Sequence, residues 1–316
     1  GRSQNDFYSF TGIDILDNGS LTQNGNVTVT QNAATGGYVI PPAVKAEYGL
    51  ADKYIDNPFT GIAISSTGGY TVNDGTLKVA IGSNGSVNYN SVAYGISGSG
   101  SLTLNDGTVD VGNSGYAETL TGINGVRISV AENATLNVSN SGVSTNFTGI
   151  VSNDISADGT VSVANNASVT NFTGIQGILA IGENGNVTVS NSSTAEAFTG
   201  VSGTLTANGQ LNVQNSGVVS GAVTGLQLDG VNSIGEKSAV TVENTANGVG
   251  SFTGAMLTGG DLSVDGSLQI SNAGILSGAF SGIVNGQLGA GGTVTLKETA
   301  ETVIQNTAQA GSFIGF

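Results

Sequence analysis

A tetrapeptide of the type Phe-Thr-Gly-Ile recurs along this chain at a nearly constant spacing. From Gly95 to Gly282, the sequence numbers of its glycine increase in steps of 27, 27, 25, 26, 25, 29 and 28. Self-similarity at a fixed period of this size indicates a repeat architecture, in which each repeat packs only on its neighbours. The copies begin at Phe10, Phe59, Tyr94, Leu120, Phe147, Phe172, Phe198, Val223, Phe252, Phe280 and Phe313, and the Tyr94 copy is one residue shorter.

A second pattern follows the tetrapeptide in each repeat. Runs such as Val161-Ser162-Val163 and Val187-Thr188-Val189 alternate apolar and polar residues, which is the period of a strand with one buried face. Many of these runs follow a turn dipeptide such as Asp158-Gly159 or Asn208-Gly209. Short strands joined by tight turns, with a single repeat length, predict stacked parallel coils.

The predicted fold is therefore all-β: a right-handed parallel β-helix, or β-solenoid, of about 11 coils of about 27 residues with two or three short strands per coil. The gap between Gly12 and Gly61 is nearly twice the usual step and fits two coils, with a hidden copy near Thr35. Coils stacked at about 4.8 Å would give a rod on the order of 50 Å long.

An asparagine lies two residues after the last apolar position of most alternating runs. By strand parity its side chain points inward, so the asparagines of successive coils would form a hydrogen-bonded ladder. We predict a structural role for this ladder rather than a ligand-binding one. Its members are Asn140, Asn165, Asn191, Asn215, Asn244 and Asn272, with Asn113 in the preceding coil and Asn32 and Asn306 at related positions.

The tetrapeptide itself breaks strict alternation, which would place its Phe and Ile on opposite faces. A bend or bulge at the glycine would bring both side chains into the core. We therefore expect a corner at this glycine and a stacked phenylalanine column inside the rod. The column would include Phe147, Phe172, Phe198, Phe252 and Phe280.

One segment, residues 38–58, departs from the repeat. It holds all three prolines of the chain and three of its eight tyrosines. Insertions in repeat proteins map to loops on one face, and such loops often bind partners. We divide the chain into an N-terminal arm (1–9) and a single solenoid domain (10–316) with an inserted loop at 38–58. The candidate interaction residues of the loop are Tyr38, Pro41, Pro42, Lys45, Tyr48, Lys53 and Tyr54.

Composition excludes several functions. The net charge of −15 disfavours nucleic-acid binding, which needs a basic surface, and no apolar stretch is long enough to insert in a membrane. Because the chain has no His and no Cys, the usual nucleophilic triads and imidazole or thiolate metal sites are absent. Acid pairs such as Asp106 with Asp110 and Asp154 with Asp158 lie at turns, where Asp is expected for its backbone hydrogen bonds. We expect no enzyme activity and no cofactor, and leave loose divalent-cation binding by the acidic surface as an open alternative.

The Gly-, Asn-, Ser- and Thr-rich repeats, which lack Cys, resemble the passenger domains of bacterial autotransporters and the related filamentous-haemagglutinin adhesins. Segments such as Val187-Thr188-Val189-Ser190-Asn191-Ser192 carry this resemblance, which is one of texture and covers nearly the whole chain. It implies a right-handed β-helix exported to the cell surface for adhesion, aggregation or biofilm formation. The chain shows no C-terminal membrane barrel, and its Phe-Thr-Gly signature fits no particular subfamily.

The repeat begins by residue 10 and returns at Phe313, without a polar or proline-rich cap. Open solenoid ends expose strand edges that can pair with other chains. We therefore expect an extracellular or cell-surface structural protein that stacks end to end into a homo-oligomer or polymer. The alternatives are a monomeric adhesin that binds a glycan or another cell-surface partner and, less favoured, a polysaccharide-active β-helix enzyme.

Overall fold

The computed structural model describes residues 10–31, 59–82, 89–285 and 292–316. These residues form a parallel β-solenoid, and this described part of the chain contains strands but no helix. Every strand pair is parallel, and most partners lie one repeat apart in sequence. The structure thus confirms the predicted all-β class and the stacking of one coil per repeat.

Each coil passes through three columns of stacked strands. The first column, which carries the tetrapeptide, consists of β1 (Phe10–Ile15), β4 (Phe59–Ile64), β7 (Tyr89–Gly98), β10 (Tyr116–Asn124), β13 (Val143–Ala157), β15 (Asn171–Ile181), β17 (Ala197–Ala207), β19 (Ala222–Leu228), β22 (Ser251–Leu257), β25 (Ala279–Asn285) and β28 (Ser312–Ile314). The second column consists of β2 (Ser20–Asn24), β5 (Gly69–Asp74), β8 (Ser101–Leu104), β11 (Arg127–Val130), β20 (Val231–Ile234), β23 (Asp261–Val264) and β26 (Val294–Leu296), together with the C-terminal parts of β13, β15 and β17. The third column consists of β3 (Val27–Gln31), β6 (Thr76–Ile81), β9 (Thr108–Asn113), β12 (Thr135–Asn140), β14 (Thr160–Asn165), β16 (Asn186–Asn191), β18 (Gln210–Asn215), β21 (Ala239–Asn244), β24 (Ser267–Asn272) and β27 (Glu301–Asn306).

The number of coils is smaller than predicted. Seven coils, not eleven, follow one another without interruption in residues 89–285, and the third column holds ten strands over all described residues. We number the coils 1 to 10 by these third-column strands. The prediction of a hidden coil between Gly12 and Gly61 is wrong, because β1 pairs directly with β4 and places Phe10 beside Phe59. No strand of a further coil therefore lies between β1 and β4 in the first column.

The core lies inside the three columns and is built by the expected bend in the tetrapeptide. In coil 5, Phe147 and Ile150 are both buried, while Thr148 between them faces outward. Gly149 is left out of the strand register, and a Cβ on it would lie 2.1 Å from Cγ1 of Val163 in the third column. The glycine is thus required because the third column approaches its backbone closely, and the bend turns both flanking side chains inward.

Candidate functional site

The predicted asparagines lie in one continuous ladder at the corner where the third column ends. Asn140, Asn165, Asn191, Asn215, Asn244 and Asn272 are almost completely buried. Each donates from Nδ2 to Oδ1 of the asparagine one coil further on, over distances of 2.7–3.1 Å, and Asn113 and Asn306 extend the ladder at its two ends. Since most of these amides also donate to the backbone carbonyl two residues later, the ladder fixes the corner as well as the stacking. Asn32 lies outside the described residues.

The phenylalanines form two stacked groups inside the first column. Phe172 lies between Phe147 and Phe198, with ring centroids 5.1 and 5.0 Å away and nearly parallel planes. Phe280 lies between Phe252 and Phe313 in the same way, at 5.4 and 5.2 Å. Val223 occupies the intervening coil, so the aromatic column is interrupted there.

The inserted loop carries the remaining predicted site residues. Tyr38, Pro41, Pro42, Lys45, Tyr48, Lys53 and Tyr54 all lie outside the described residues, as does the predicted arm 1–9. In the sequence, residues 38–58 lie between β3 and β4.

Two of the four acids considered for catalysis, Asp106 and Asp110, accept local hydrogen bonds. Asp106 accepts a hydrogen bond from the backbone of Gly107 at 2.7 Å, and Asp110 accepts one from the Asn137 side chain at 2.8 Å. Asp154 lies in a bulge of β13, and Asp158 lies in the turn before β14. Within residues 10–31, 59–82, 89–285 and 292–316, no three acidic side chains come close enough together to hold a metal ion.

Acidic residues that look scattered in the sequence line one edge of the rod. This edge is the corner between the second and third columns, which we call the second corner. Most coils from coil 2 to coil 10 place a carboxylate there, and coil 7 has Asn208 instead. Sequence spacing alone did not reveal the edge, since the position within each repeat becomes clear only once the strands are in register. The residues are Asp74, Asp106, Glu132, Asp158, Glu183, Glu236, Asp265 and Glu298.

At the C-terminal end of this edge, Asp265 is held by the next coil. Its carboxylate accepts hydrogen bonds from the Thr299 hydroxyl and from Lys297 Nζ, the latter at 2.9 Å. These two hydrogen bonds, with that from Thr299 the larger influence, hold the pKa of Asp265 below its usual value of 3.8. The cluster therefore fastens the second corner of coil 10 to that of coil 9.

The second corner also has an alternating geometry. Here a connection means the residues between the last inward residue of the second column and the first inward residue of the third. From coil 4 to coil 10, its length is five, three, five, three, five, three and five residues. The five-residue connections are 131–135, 182–186, 235–239 and 297–301, and the three-residue ones are 158–160, 208–210 and 265–267. Every five-residue connection has Glu in second place, and every three-residue one is Asn or Asp followed by Gly.

A shallow groove lies on the outer face of the second column in coils 3 to 5. It has a volume of about 360 Å³. The bulge in β13 forms one wall and is fixed by Ser152, whose hydroxyl donates to the Val126 carbonyl at 2.7 Å. Arg127, Asp154 and several hydroxyl groups line the groove. The hydroxyl residues are Ser101, Thr103, Ser129 and Ser156.

The outer face of coil 10 differs from the faces between coils. Leu296 is 46 % exposed, whereas Val264, its partner one coil earlier, is 0 % exposed. Phe313 stacks on Phe280 with one ring face only and is 54 % exposed. Among the described residues, no strand pairs with the outer edges of β26, β27 or β28.

Comparison of the chain with protein-family models, curated proteins and solved structures found no match. The class of protein is therefore given by the fold alone, a parallel β-solenoid. None of the helices needed to cross a bilayer was found in the portion of the chain that the structure describes.

Proposed function

We propose that this chain is a non-catalytic structural rod of the extracellular space or cell surface, which associates end to end into a filament or surface assembly. The observation that carries the proposal is the outer face of coil 10. It presents the unpaired edges of β26 and β27 and inward-type apolar side chains, such as Leu296, that every internal coil buries against a neighbour.

Such a face is adhesive for physical reasons. Each strand edge offers unpaired N–H and C=O groups that pair readily with another strand. Burial of exposed apolar surface adds about 25 cal/mol per Å². The exposed apolar residues of β26 and β27 on or beside this face are Leu296 and Val303.

When two different faces of identical copies meet, each copy still has one free face. The assembly ends in a closed ring only if the rotation between successive copies brings the last copy back to the first. For a rod that carries the two faces at opposite ends, repetition gives a linear filament. The internal ladders suit the rod for this purpose, because stacked amides and rings propagate one register along the axis.

The extracellular location rests on composition and repeat texture. The chain is acidic and lacks Cys, and its Asn-, Ser- and Thr-rich strands resemble those of autotransporter passengers and filamentous-haemagglutinin adhesins. A rigid, repetitive rod with small polar side chains on its outer faces fits such a surface role.

The experiment is sedimentation velocity of the purified chain over a rising concentration series, followed by electron microscopy of the most concentrated sample. The proposal expects species that grow with concentration and rods longer than one chain, of constant width. A single monomeric species at every concentration would contradict it.

A second candidate function is glycan binding by a single rod, as in an adhesin. The groove around Arg127 favours it, because a guanidinium and a carboxylate among several hydroxyls can hydrogen-bond to sugar hydroxyl and carboxyl groups. The test is a glycan array with the unaltered chain and with Arg127→Ala. Binding that is lost in the variant would support this function, and the absence of any bound glycan would contradict it.

A further inference from the structure

We infer that the partner of the coil 10 face is coil 1 of a second copy, and that the second corner sets how the two copies fit. This inference rests on the proposed end-to-end association and names its partner face and register. It is carried by the alternation of three- and five-residue connections at the second corner.

Inside the rod, a three-residue connection fits against the five-residue connection of the coil before it. Each five-residue connection is closed by a hydrogen bond from its fourth N–H to its first carbonyl, as from Ala134 to Ala131 at 2.9 Å. The glycine of the next connection, Gly159, lies so close that a Cβ on it would be 2.2 Å from the Ala131 oxygen and 2.5 Å from the Ala134 oxygen. Thr160 N–H then donates to the Ala134 carbonyl at 3.0 Å.

The same fit recurs at the other two junctions of this kind. A Cβ on Gly209 would lie 2.3 and 2.4 Å from the oxygens of Gly182 and Gly185. A Cβ on Gly266 would lie 2.2 and 2.6 Å from those of Gly235 and Ser238. In coils 5, 7 and 9, the glycine of the three-residue connection thus packs against two carbonyl oxygens of the preceding five-residue connection.

Coils 10 and 1 carry the two halves of this arrangement. Coil 10 ends with the five-residue connection 297–301, closed by the hydrogen bond from Ala300 N–H to the Lys297 carbonyl at 3.0 Å. Coil 1 has a three-residue connection, 24–26, with the sequence Asn-Gly-Asn. Gly25 occupies the place of Gly159, yet a Cβ on it would have no atom of the described residues within 4 Å.

Coil 1 stacked on coil 10 continues the register of the third column. Val29 lies in the row that runs through the partners of each strand to Ile304, so it would follow Ile304 of the neighbouring copy. Thr28 would follow Val303 on the outer face in the same way. The five-residue connection of coil 10 would then be followed by the three-residue connection of coil 1. This is the same order as between coils 4 and 5, 6 and 7, and 8 and 9.

The first column adds one condition. The place above β25 is filled by β28, a strand of only three residues whose Phe313 takes the position of the tetrapeptide Phe. The six-residue β1 of the second copy, which begins at Phe10, would need the same place. Docking therefore displaces β28, and removal of residues 312–316 is expected to strengthen association.

The decisive variant is Gly25→Val, measured by sedimentation velocity beside the unaltered chain. Its side chain has open space within its own copy, and Gly25 is not among the glycines with positive φ, so the fold should persist. Against the Lys297 and Ala300 carbonyls of a neighbour it would overlap, and the concentration for half-assembly should rise by at least about tenfold. Thr22→Val, an outward substitution on the same coil, is the matched control and should assemble normally.

A loop exchange in coil 1 tests the fit itself and leaves coil 10 unchanged. Replacement of residues 24–26 by the sequence of 182–186 should abolish association, because two five-residue connections would then meet.

The outcomes separate the two proposals. If the unaltered chain stays monomeric, end-to-end association is wrong. If it assembles and both Gly25→Val and the loop exchange in coil 1 assemble equally well, association stands but coil 1 is not the partner.

Discussion

The side chain of Asn191 donates a hydrogen bond to Oδ1 of Asn215 at 2.9 Å while it accepts one from Asn165 at the same distance. Both neighbours lie in adjacent coils, and all three amides are buried. Each amide therefore depends on the coil before it and the coil after it. The ladder therefore couples the register of each coil to that of its two neighbours along the rod.

Replacement of one ladder residue should destabilise the rod. Asn191→Ala leaves Oδ1 of Asn215 and one of the two Nδ2 hydrogens of Asn165 without their partners in a buried corner, while the other Nδ2 hydrogen of Asn165 keeps the Ala167 carbonyl. We expect a loss of about 2–4 kcal/mol in the free energy of unfolding, since each buried unsatisfied group costs about 1–3 kcal/mol. Denaturant unfolding followed by circular dichroism measures it. The control is Asn212→Ala, on the outer face of β18, and an equal loss in both variants would contradict a special role for the ladder.

The glycine of the tetrapeptide should not tolerate even a methyl group. In Gly174→Ala, the new Cβ would lie 2.2 Å from Cγ1 of Val189 and 2.5 Å from the Gly200 oxygen. We expect a cost of about 1–3 kcal/mol, as for overpacked cores. In Gly112→Ala, whose Cβ would meet only the Ser139 hydroxyl at 3.5 Å, stability should be unchanged or rise by about 0.4–1 kcal/mol.

A double-mutant cycle identifies the cause of this cost. Val189→Ala removes one of the two close contacts, so Gly174→Ala should cost less in that background than in the unaltered chain. Equal costs in both backgrounds would show that the third column does not restrict this glycine.

Each phenylalanine of the aromatic column should contribute to the free energy of unfolding in proportion to how much of its ring is buried. Phe172 packs between two rings and is 1 % exposed, so Phe172→Ala should cost about 3–5 kcal/mol. Phe313→Ala, at the open end of the column, should cost far less because only one face of its ring is covered. Thermal unfolding of the two variants compares them, and similar losses would contradict the difference in packing.

The sequence was sufficient to predict the internal columns because each depends on a residue type at a fixed place in the repeat. Phe147 and Asn191 could be placed by strand parity alone, and the bend at Gly149 followed from the need to bury both Phe and Ile. These are local constraints, and one repeat contains all the information they need.

Features that depend on the relation between coils could not be predicted in this way. The alternation at the second corner appears only when Val130, Ala157 and Ile181 are known to share a row, because repeat lengths also vary elsewhere. The hidden coil was wrong for the same reason, since the spacing from Gly12 to Gly61 does not distinguish two coils from one coil with an insertion. The exposure of the coil 10 face also follows from which strands pair with each other, so it could not be predicted from a single repeat.

The carboxylate of Asp265 gives the end of the rod a pH dependence. Its pKa in the folded chain is held below 3.8 by Thr299 and Lys297, so its stabilising contribution is complete above the unfolded-state pKa and is lost as the pH falls through the lower folded-state pKa. Hydrogen exchange of coil 10 should therefore be faster in Asp265→Asn than in the unaltered chain at pH 7, and the difference should shrink below about pH 4. A difference that stays constant into strong acid would contradict this role.

Disulfide cross-linking shows whether coil 10 of one copy receives coil 1 of another. Because the chain has no Cys, an introduced thiol is the only one present. Neighbouring parallel strands lie about 4.8 Å apart, within the Cα separation that a disulfide spans. Chains with Thr28→Cys and chains with Val303→Cys should form a disulfide-linked dimer when mixed and oxidised, and much less dimer when each is oxidised alone. The mixture of Val303→Cys with Thr188→Cys, a mid-rod position, should give only the background level. Equal cross-linking in all samples, or dimers only among copies of one variant, would show that coil 1 does not stack on coil 10.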